Sequence, residues 1–310
     1  MNKKIIGIAL ITILVIILIL NIYSINNNKH VINEYFFTDE FSNIVINTTD
    51  ANIEYIFSNE NTSVTCEEKK YMKHNVEVKN NTLFIEVDDN RRWYHQIGIN
   101  NGTPKIIVKL SKNEFEKLSI NTNVGKVNIP KDFMFKTIDI NASVAEIKNE
   151  ASSYEHIKIK TSVGDIMMDN VNSNMIELNT TTGDVNINNV ICLKDLKINV
   201  TTGDVNMSKI NSNNLILTGS TGDVKAESTF ANEKMNIERS TGDITFKNCD
   251  AKDIYIKTST GDVIGNIITE KTFLTETKTG NVDVPKLISE NKCEIYTKTG
   301  DIKITVNNKK

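Results

Sequence analysis

A short motif centred on glycine returns every 19 or 20 residues from residue 121 onward, and no other feature of the chain restricts its fold so tightly. The copies read Val124-Gly125-Lys126-Val127, Val144-Ala145-Glu146-Ile147, Val163-Gly164-Asp165-Ile166, Thr182-Gly183-Asp184-Val185 and Thr202-Gly203-Asp204-Val205. They continue as Thr221-Gly222-Asp223-Val224, Thr241-Gly242-Asp243-Ile244, Thr260-Gly261-Asp262-Val263, Thr279-Gly280-Asn281-Val282 and Thr299-Gly300-Asp301-Ile302. Self-similarity at a fixed period of this length means that each copy is one unit stacked on its neighbours, a solenoid.

The apolar residues around the glycine decide between helix and strand. Counted from Gly, position −7 holds Ile157, Ile176, Leu196, Leu215, Met235, Ile254, Phe273 and Cys293, and −5 is nearly always Ile or Leu. Position +2 is always Val or Ile, and +4 includes Met168, Ile187, Met207 and Phe246. Another mark at +7 comprises Val171, Val190, Ile210, Cys249, Ile268 and Leu287. Apolar residues two apart with polar ones between them have the period of a strand. Each coil is therefore expected to be a strand, the Thr-Gly-Asp turn, a second strand and a corner near +7. Parallel stacking at about 4.8 Å makes ten coils a rod section of roughly 48 Å. The default hand of such crossovers is right-handed. The expected class is all-β, a right-handed parallel β-helix or β-solenoid.

The turn residues are expected to be structural. They are Gly125, Gly164, Gly183, Asp184, Gly203, Asp204, Gly222, Asp223, Gly242, Asp243, Gly261, Asp262, Gly280, Gly300 and Asp301. Glycine at such a place implies positive φ or crowding that a Cβ would not permit. The Asp that follows can accept a hydrogen bond from nearby backbone N–H groups as an Asx-type turn. Calcium held by the Asp row is the competing reading. Calcium wants six to eight oxygens, and one Asp per coil, with Asn281 and Lys126 at the same place, fits a turn hydrogen bond better. No cofactor or metal is expected.

Residues 5–20 are apolar apart from Gly7 and Thr12, and follow Lys3 and Lys4. Extended to Tyr23, the run reaches roughly 28 Å as a helix, enough to span a hydrocarbon core. A cleaved signal peptide is the alternative, but the run ends without a small-x-small site. The positive-inside rule then puts residues 1–4 in the cytoplasm and the main domain outside the cell. The expected division is a stub at 1–4, a transmembrane signal anchor at 5–23, a linker at 24–35, irregular β-rich coils and cap at 36–120, regular coils at 121–306 and a polar tail at 307–310.

Within the irregular stretch, Ile44-Val45-Ile46 and Thr48-Thr49-Asp50-Ala51-Asn52-Ile53 look like a degenerate coil. Residues 76–78 and 83–87 read as a hairpin, and so do 97–99 and 105–110 around Asn100-Asn101-Gly102. This region is expected to cover the first open edge of the rod. At the other end the chain closes with residues 302–306 as its last strand, an edge that terminal lysines discourage or a partner strand could join. Arg91, Arg92, Trp93 and Tyr94 are the candidate partner-binding group, holding the only Trp of the chain. The competing reading packs Trp93 into the cap with the arginines solvated.

Other classes fit poorly. With 36 Lys+Arg against 39 Asp+Glu the chain lacks the basic excess of a nucleic-acid binder. Cys66, Cys192, Cys249 and Cys293 have no CxxC or metal-ligand spacing and read as buried small apolar residues. The four histidines, His30, His74, His95 and His156, show no useful pairing for a metal or a triad, and no Gly-x-Ser-x-Gly occurs. Coils of 19–20 residues leave no room for loops that would wall a catalytic groove, so no enzyme and no small-molecule substrate are expected.

The run of [Ser/Thr]-Thr-Gly-Asp-[Val/Ile] coils behind one apolar N-terminal segment resembles the DUF4097 family of bacterial surface proteins, often described as candidate adhesins. The resemblance covers about residues 36–306. It includes Ile106-Ile107-Val108-Lys109-Leu110, Phe115, Leu118-Ser119-Ile120 and Asn123-Val124-Gly125-Lys126-Val127. Departures are Ser111, where many members have Pro, and Lys126 and Ala145-Glu146 in place of Gly-Asp. The resemblance implies a right-handed β-helix and a place at the cell envelope, with no catalytic residues to carry over. Two roles follow: a membrane-anchored surface-binding or adhesin-like module for an envelope polymer or protein, or an envelope-stress or regulatory accessory acting through a membrane partner.

Overall fold

The computed structural model describes residues 31–68, 72–89 and 103–307. Their strands form one continuous β-solenoid. The expected span at 5–23 and the Arg91–Tyr94 group lie outside the described residues. Among the described residues no helix is long and apolar enough to cross a membrane.

Regular coils pair in parallel with like residues in register. The −7 positions align as Ile157, Ile176, Leu196, Leu215, Met235 and Ile254. All are buried, as are the −5 and +2 positions beside them. Fully burying one such aliphatic side chain contributes about 1.5–3 kcal/mol relative to exposure, so the stack of coils carries its own core.

Two further rows shape each coil, and neither announces itself in the apolar pattern. At +6 the chain enters the left-handed region at Asn170, Asn189, Lys209, Ser228 and Asn248, with φ between 49° and 56°. The corner expected near +7 therefore bends at +6. At +9 the interior narrows, and its row is Ser173, Cys192, Ser212, Ala231 and Ala251, each paired with the next. Only small side chains occupy it, which accounts for Cys192. All four cysteines are free and buried.

Position −3 also faces inward. The hydroxyls of Thr161 and Thr180 donate to the carbonyl oxygens of Ala145 and Gly164, capping the preceding turn. Ala142, Val200, Gly219 and Arg239 depart from this pattern. Arg239 occupies −3 almost fully buried, donating from Nη1 to Val200 O at 2.7 Å and from Nη2 to Gly203 O at 2.8 Å. It reaches two coils back because Gly219, the intervening −3 residue, has no side chain; a Cβ there would stand 2.0 Å from Arg239 Nη1.

Coil order along the rod does not follow chain order at either end. Residues 43–47 and 52–57 form the coil that packs directly on residues 117–121 and 127–128, so the degenerate coil read around Ala51 is present. The coil outside it comes later in the chain, from strands Thr82–Asp89 and Lys105–Leu110. At the far end, Lys292–Thr299 pairs with residues 254–257 on one side and with Thr272–Thr279 on the other. The final strand Ile302–Val306 lies against Val263–Ile267, with Val282–Asp283 beyond it. The chain end is thus not the open edge that the sequence suggests. That edge belongs to the coil around Gly280, where Val282 and Ile288 are exposed. Pro285 lies in this outermost coil, where a missing N–H breaks no interior ladder.

The cap is antiparallel. Met72–Lys79 and Thr82–Asp89 form the expected hairpin, turning at Asn80 and Asn81 with φ of 50° and 59°. Strand Thr62–Glu68 joins Lys105–Leu110 and carries Val31–Phe37 on its other side. Two expectations change here. The linker placed at 24–35 overlaps strand Val31–Phe37, whose Tyr35 and Phe37 pack on the core. The hairpin of 97–99 with 105–110 has no free edge on the latter, since residues 52–57 and 62–68 occupy both sides; residues 97–99 lie outside the described residues. A third device closes the core below the cap: Phe41, Phe115, Phe133 and Phe135 stack with centroids 5.7–6.5 Å apart.

In the coil of Gly261 the apolar mark shifts. Ile267, not Ile268, takes the place opposite Cys249 and is buried. This coil has no left-handed residue at +6, so it reaches the corner one residue sooner.

Candidate binding face

The Thr-Gly-Asp edge is built for stacking. At Gly203, φ is +143°, and an added Cβ would lie 2.1 Å from Gly183 O of the coil below. The Asp then does something other than close its own turn. The N–H of Asp184 donates to Asp165 Oδ1 of the previous coil at 2.8 Å, and Asp204, Asp223, Asp243 and Asp262 repeat the link at 2.8–2.9 Å. The expected Asx turn is replaced by a ladder between coils, because the parallel stack brings each carboxylate beside the next backbone N–H. The ladder continues to Asp301 and then back to Asn281, tracing the inverted order of the last coils. Lys126 N uses Asn52 Oδ1 in the same way. Where the motif departs from Gly-Asp, a Lys126–Glu146 ion pair joins adjacent coils instead.

Energetics favour the ladder despite its row of like charges. Carboxylates about 4.8 Å apart in water repel by roughly 1 kcal/mol. A hydrogen bond to a charged acceptor contributes about 1.5–3 kcal/mol. Since Oδ1 of each ladder Asp already takes a backbone N–H, the row acts as a structural seam.

The candidate binding face is on the strand after the turn. There the outward residues at +3 and +5 line an open groove of about 690 Å³ across six coils. Position +3 supplies Lys148, Met167, Asn186, Asn206, Lys225 and Thr245; position +5 supplies Asp169, Asn188, Ser208, Glu227 and Lys247. The backbone of the +4 residues Met168, Ile187, Met207 and Ala226 runs between these rows, with their side chains buried on the inner side. Side chains link coil to coil: Asn206 Nδ2 donates to Asn186 Oδ1 at 2.9 Å, Asn188 Nδ2 to Asp169 Oδ1 at 2.7 Å, and Lys247 Nζ to Glu227 Oε1 at 2.6 Å. Each amide has more hydrogen-bonding capacity than its one link uses. The groove therefore offers donors and acceptors repeating at the coil spacing.

The groove was not visible as a site in the sequence, because its residues are the ordinary polar half of a strand alternation. The one available signal was Asn at +3 in two adjacent coils, Asn186 and Asn206, with Asn188 at +5. The sequence-named turn residues share one edge of the rod, from Gly125 through Gly300, whereas the Arg91–Tyr94 group lies outside the described residues.

A parallel stack with one Gly per coil and an Asp seam between coils defines a β-solenoid of about ten turns. Residues 41–238 and 227–310 match the family described as Toastrack DUF4097, and the chain belongs to it. Among solved structures, a candidate adhesin from Bacteroides fragilis NCTC 9343 is 17% identical, with 89% of this chain and 97% of that one covered at a TM-score of 0.43. A candidate adhesin from Parabacteroides distasonis ATCC 8503 is 16% identical, with coverage of 76% and 98% and a TM-score of 0.49. A candidate cell adhesion protein from Clostridium sporogenes ATCC 15579 is 14% identical, with coverage of 90% and 100% and a TM-score of 0.20. No curated protein sequence matches the chain.

Proposed function

We propose that this chain is a non-enzymatic surface-binding module, held at the outer face of the cell membrane by residues 5–23 and presenting a right-handed solenoid to an extended polar polymer or protein of the envelope. The observation that carries the reading is the groove, whose polar rows repeat at the coil spacing and suit a ligand with a repeating backbone. The hand rests on the steric preference for right-handed parallel crossovers. The anchor rests on the apolar run after Lys3 and Lys4.

The inventory of reactive groups supports a binding role. Asp169 and Glu227, the two groove carboxylates, belong to coils three steps apart, about 14 Å at the strand spacing. Glycosidase carboxylate pairs need roughly 5–9.5 Å. Burial pushes the Cys192 thiol up to about 11 and Cys293 to about 12, so neither is a nucleophile at neutral pH.

The test is binding of the full-length protein in nanodiscs to peptidoglycan, anionic wall polymer and neutral polysaccharide. The double variant Asn188→Ala/Asn206→Ala should weaken binding at least about tenfold, the effect of losing one to two hydrogen bonds. Lys158→Ala, away from the groove, should bind as wild type. Equal binding by the groove variant would overturn the assignment. Crosslinking in native cells to an integral membrane protein, outside the groove, would favour the accessory role.

A further inference from the structure

Inside the cap, at positions where ordinary coils carry aliphatics, three chemically reactive side chains meet. Val64, Cys66 and Glu68 alternate inward along strand Thr62–Glu68, and Met72, His74 and Val76 do so along Met72–Lys79. Cys66, Glu68 and His74 are 0%, 2% and 4% exposed. Their ligand atoms, the thiol sulfur, a carboxylate oxygen and a ring nitrogen, all lie within 4.8 Å of one another. The sequence reading passed over His74, because Cys-x-Glu-x5-His is no familiar ligand spacing; the cap's two strands bring the residues together.

The hydrogen bonds around the trio leave one conspicuous omission. Glu68 Oε1 accepts the N–H of His74, and Oε2 accepts Asn33 Nδ2. His74 Nε2 is 3.1 Å from Thr48 Oγ1. Its other nitrogen, Nδ1, has no hydrogen-bond partner and faces Glu68 Oε1 at 3.5 Å. With Nε2 engaged by the Thr48 hydroxyl, Nδ1 is left buried beside the Glu68 carboxylate without a hydrogen bond of its own. Buried carboxylates and unpaired ring nitrogens are costly unless a partner compensates them.

We propose that Cys66 Sγ, Glu68 Oε1 and His74 Nδ1 form a site for a divalent cation of the zinc class. Sulfur, imidazole nitrogen and carboxylate oxygen are the donor types that zinc accepts, and Thr48 on Nε2 is the outer contact that fixes a ligand histidine's tautomer and orientation. Binding releases the Cys66 thiol proton to solvent. Thiolate, carboxylate and a doubly charged cation then sum to zero, whereas the empty site buries a net negative charge. Three protein donors leave a fourth position for water. The metal would tie strand Thr62–Glu68, which supports Val31–Phe37, to the hairpin of Met72–Lys79 and Thr82–Asp89, fastening the cap.

The probe is cobalt(II), titrated into chelator-treated full-length protein in detergent with a thiol-safe reductant. The expected result is a thiolate-to-cobalt charge-transfer band with tetrahedral d–d bands, saturating at one equivalent and displaced by zinc. Cys66→Ser should remove the charge-transfer band, while Cys249→Ser should leave it. Thr48→Val should weaken affinity about 10–100-fold, the usual effect of losing an outer contact to a ligand histidine. Wild-type protein that is folded by circular dichroism yet gives no band would overturn the site. Persistence of the band in Cys66→Ser would overturn it equally.

Discussion

Lys271 is the most informative residue to perturb for stability. It is completely buried, with Nζ 2.9 Å from Asp250 Oδ1, and Asp250 itself is 14% exposed. The ammonium also donates to Thr269 Oγ1 at 2.7 Å. At an effective dielectric of 20 the pair attracts by about 6 kcal/mol, most of which offsets the desolvation of two ions. The net value of the intact pair is therefore small, but the cost of breaking it is not. Lys271→Met leaves the carboxylate with two backbone donors, Thr269 N on Oδ2 and Ala251 N on Oδ1, both at 2.9 Å. Those contacts keep the loss at the lower end of the range for a broken buried pair, about 3 kcal/mol. The double variant Lys271→Met/Asp250→Asn removes both charges and should recover all but about 1 kcal/mol. Urea denaturation of the full chain in detergent, with hydrogen exchange at residues 293–296 to isolate the last coils, measures both. A Lys271→Met loss below about 1 kcal/mol, or a double variant no more stable than the single, would refute the argument that the charge pair is buried as a unit.

Gly203→Ala should destabilise the central coils by at least about 3 kcal/mol, combining a conformation that favours glycine with a contact to backbone that cannot move aside. Chemical denaturation reads this directly, and a loss under about 1 kcal/mol would contradict the crowding at Gly183 O. Truncation after Glu290 tests the coil order: it removes the strands lying between residues 254–267 and 272–283. Limited proteolysis should then trim back to about residue 270 rather than stop at the new end. Protection of residues 272–283 in the truncated chain would mean that they stack without the missing coil.

What could be read in advance was whatever repeats with one residue type. The Gly turn recurs as Gly, and the −7, −5, +2 and +4 rows recur as mostly apolar residues, so the inward direction of those rows follows from alternation alone. The +6 and +9 rows are set by backbone conformation and available space; Asn, Lys and Ser satisfy the first, and Ser, Cys and Ala the second, so no single residue type marks them. The Asp was recognised as a turn residue, but its hydrogen bond crosses to another coil, and only stacking supplies that partner. Arg239 and Gly219 form a pair whose logic spans two coils, from Val200 O to Arg239. The candidate groove is the outer side of the same alternation, distinguished only by three-dimensional shape. His74 became meaningful only when the cap placed it beside Cys66 and Glu68.

The inverted coil order at the two ends has a common physical consequence. A solenoid that ended in chain order would leave its last strand paired on one side only, with a free terminus able to peel away residue by residue. Here Ile302–Val306 has Val263–Ile267 on one side and Val282–Asp283 along part of the other, while the coil left outside is covalently continuous at both of its ends. Fraying of the outer coil therefore requires opening a closed loop of chain rather than releasing a tail. Toward the N-terminal side residues 43–57 are likewise held between the coil of 117–128 and that of 82–110, whereas strand Val31–Phe37 pairs on one side only, with Thr62–Glu68. The Asp seam shows that the exchange costs the stack nothing in hydrogen bonds, because Asp301 accepts from Asn281 at 2.7 Å just as each earlier Asp accepts from its neighbour. Identical coil geometry is what makes the exchange possible. Each turn presents the same acceptor and donor to whichever coil arrives, so the repeat that specifies the rod leaves the order of its end coils to the connections between them.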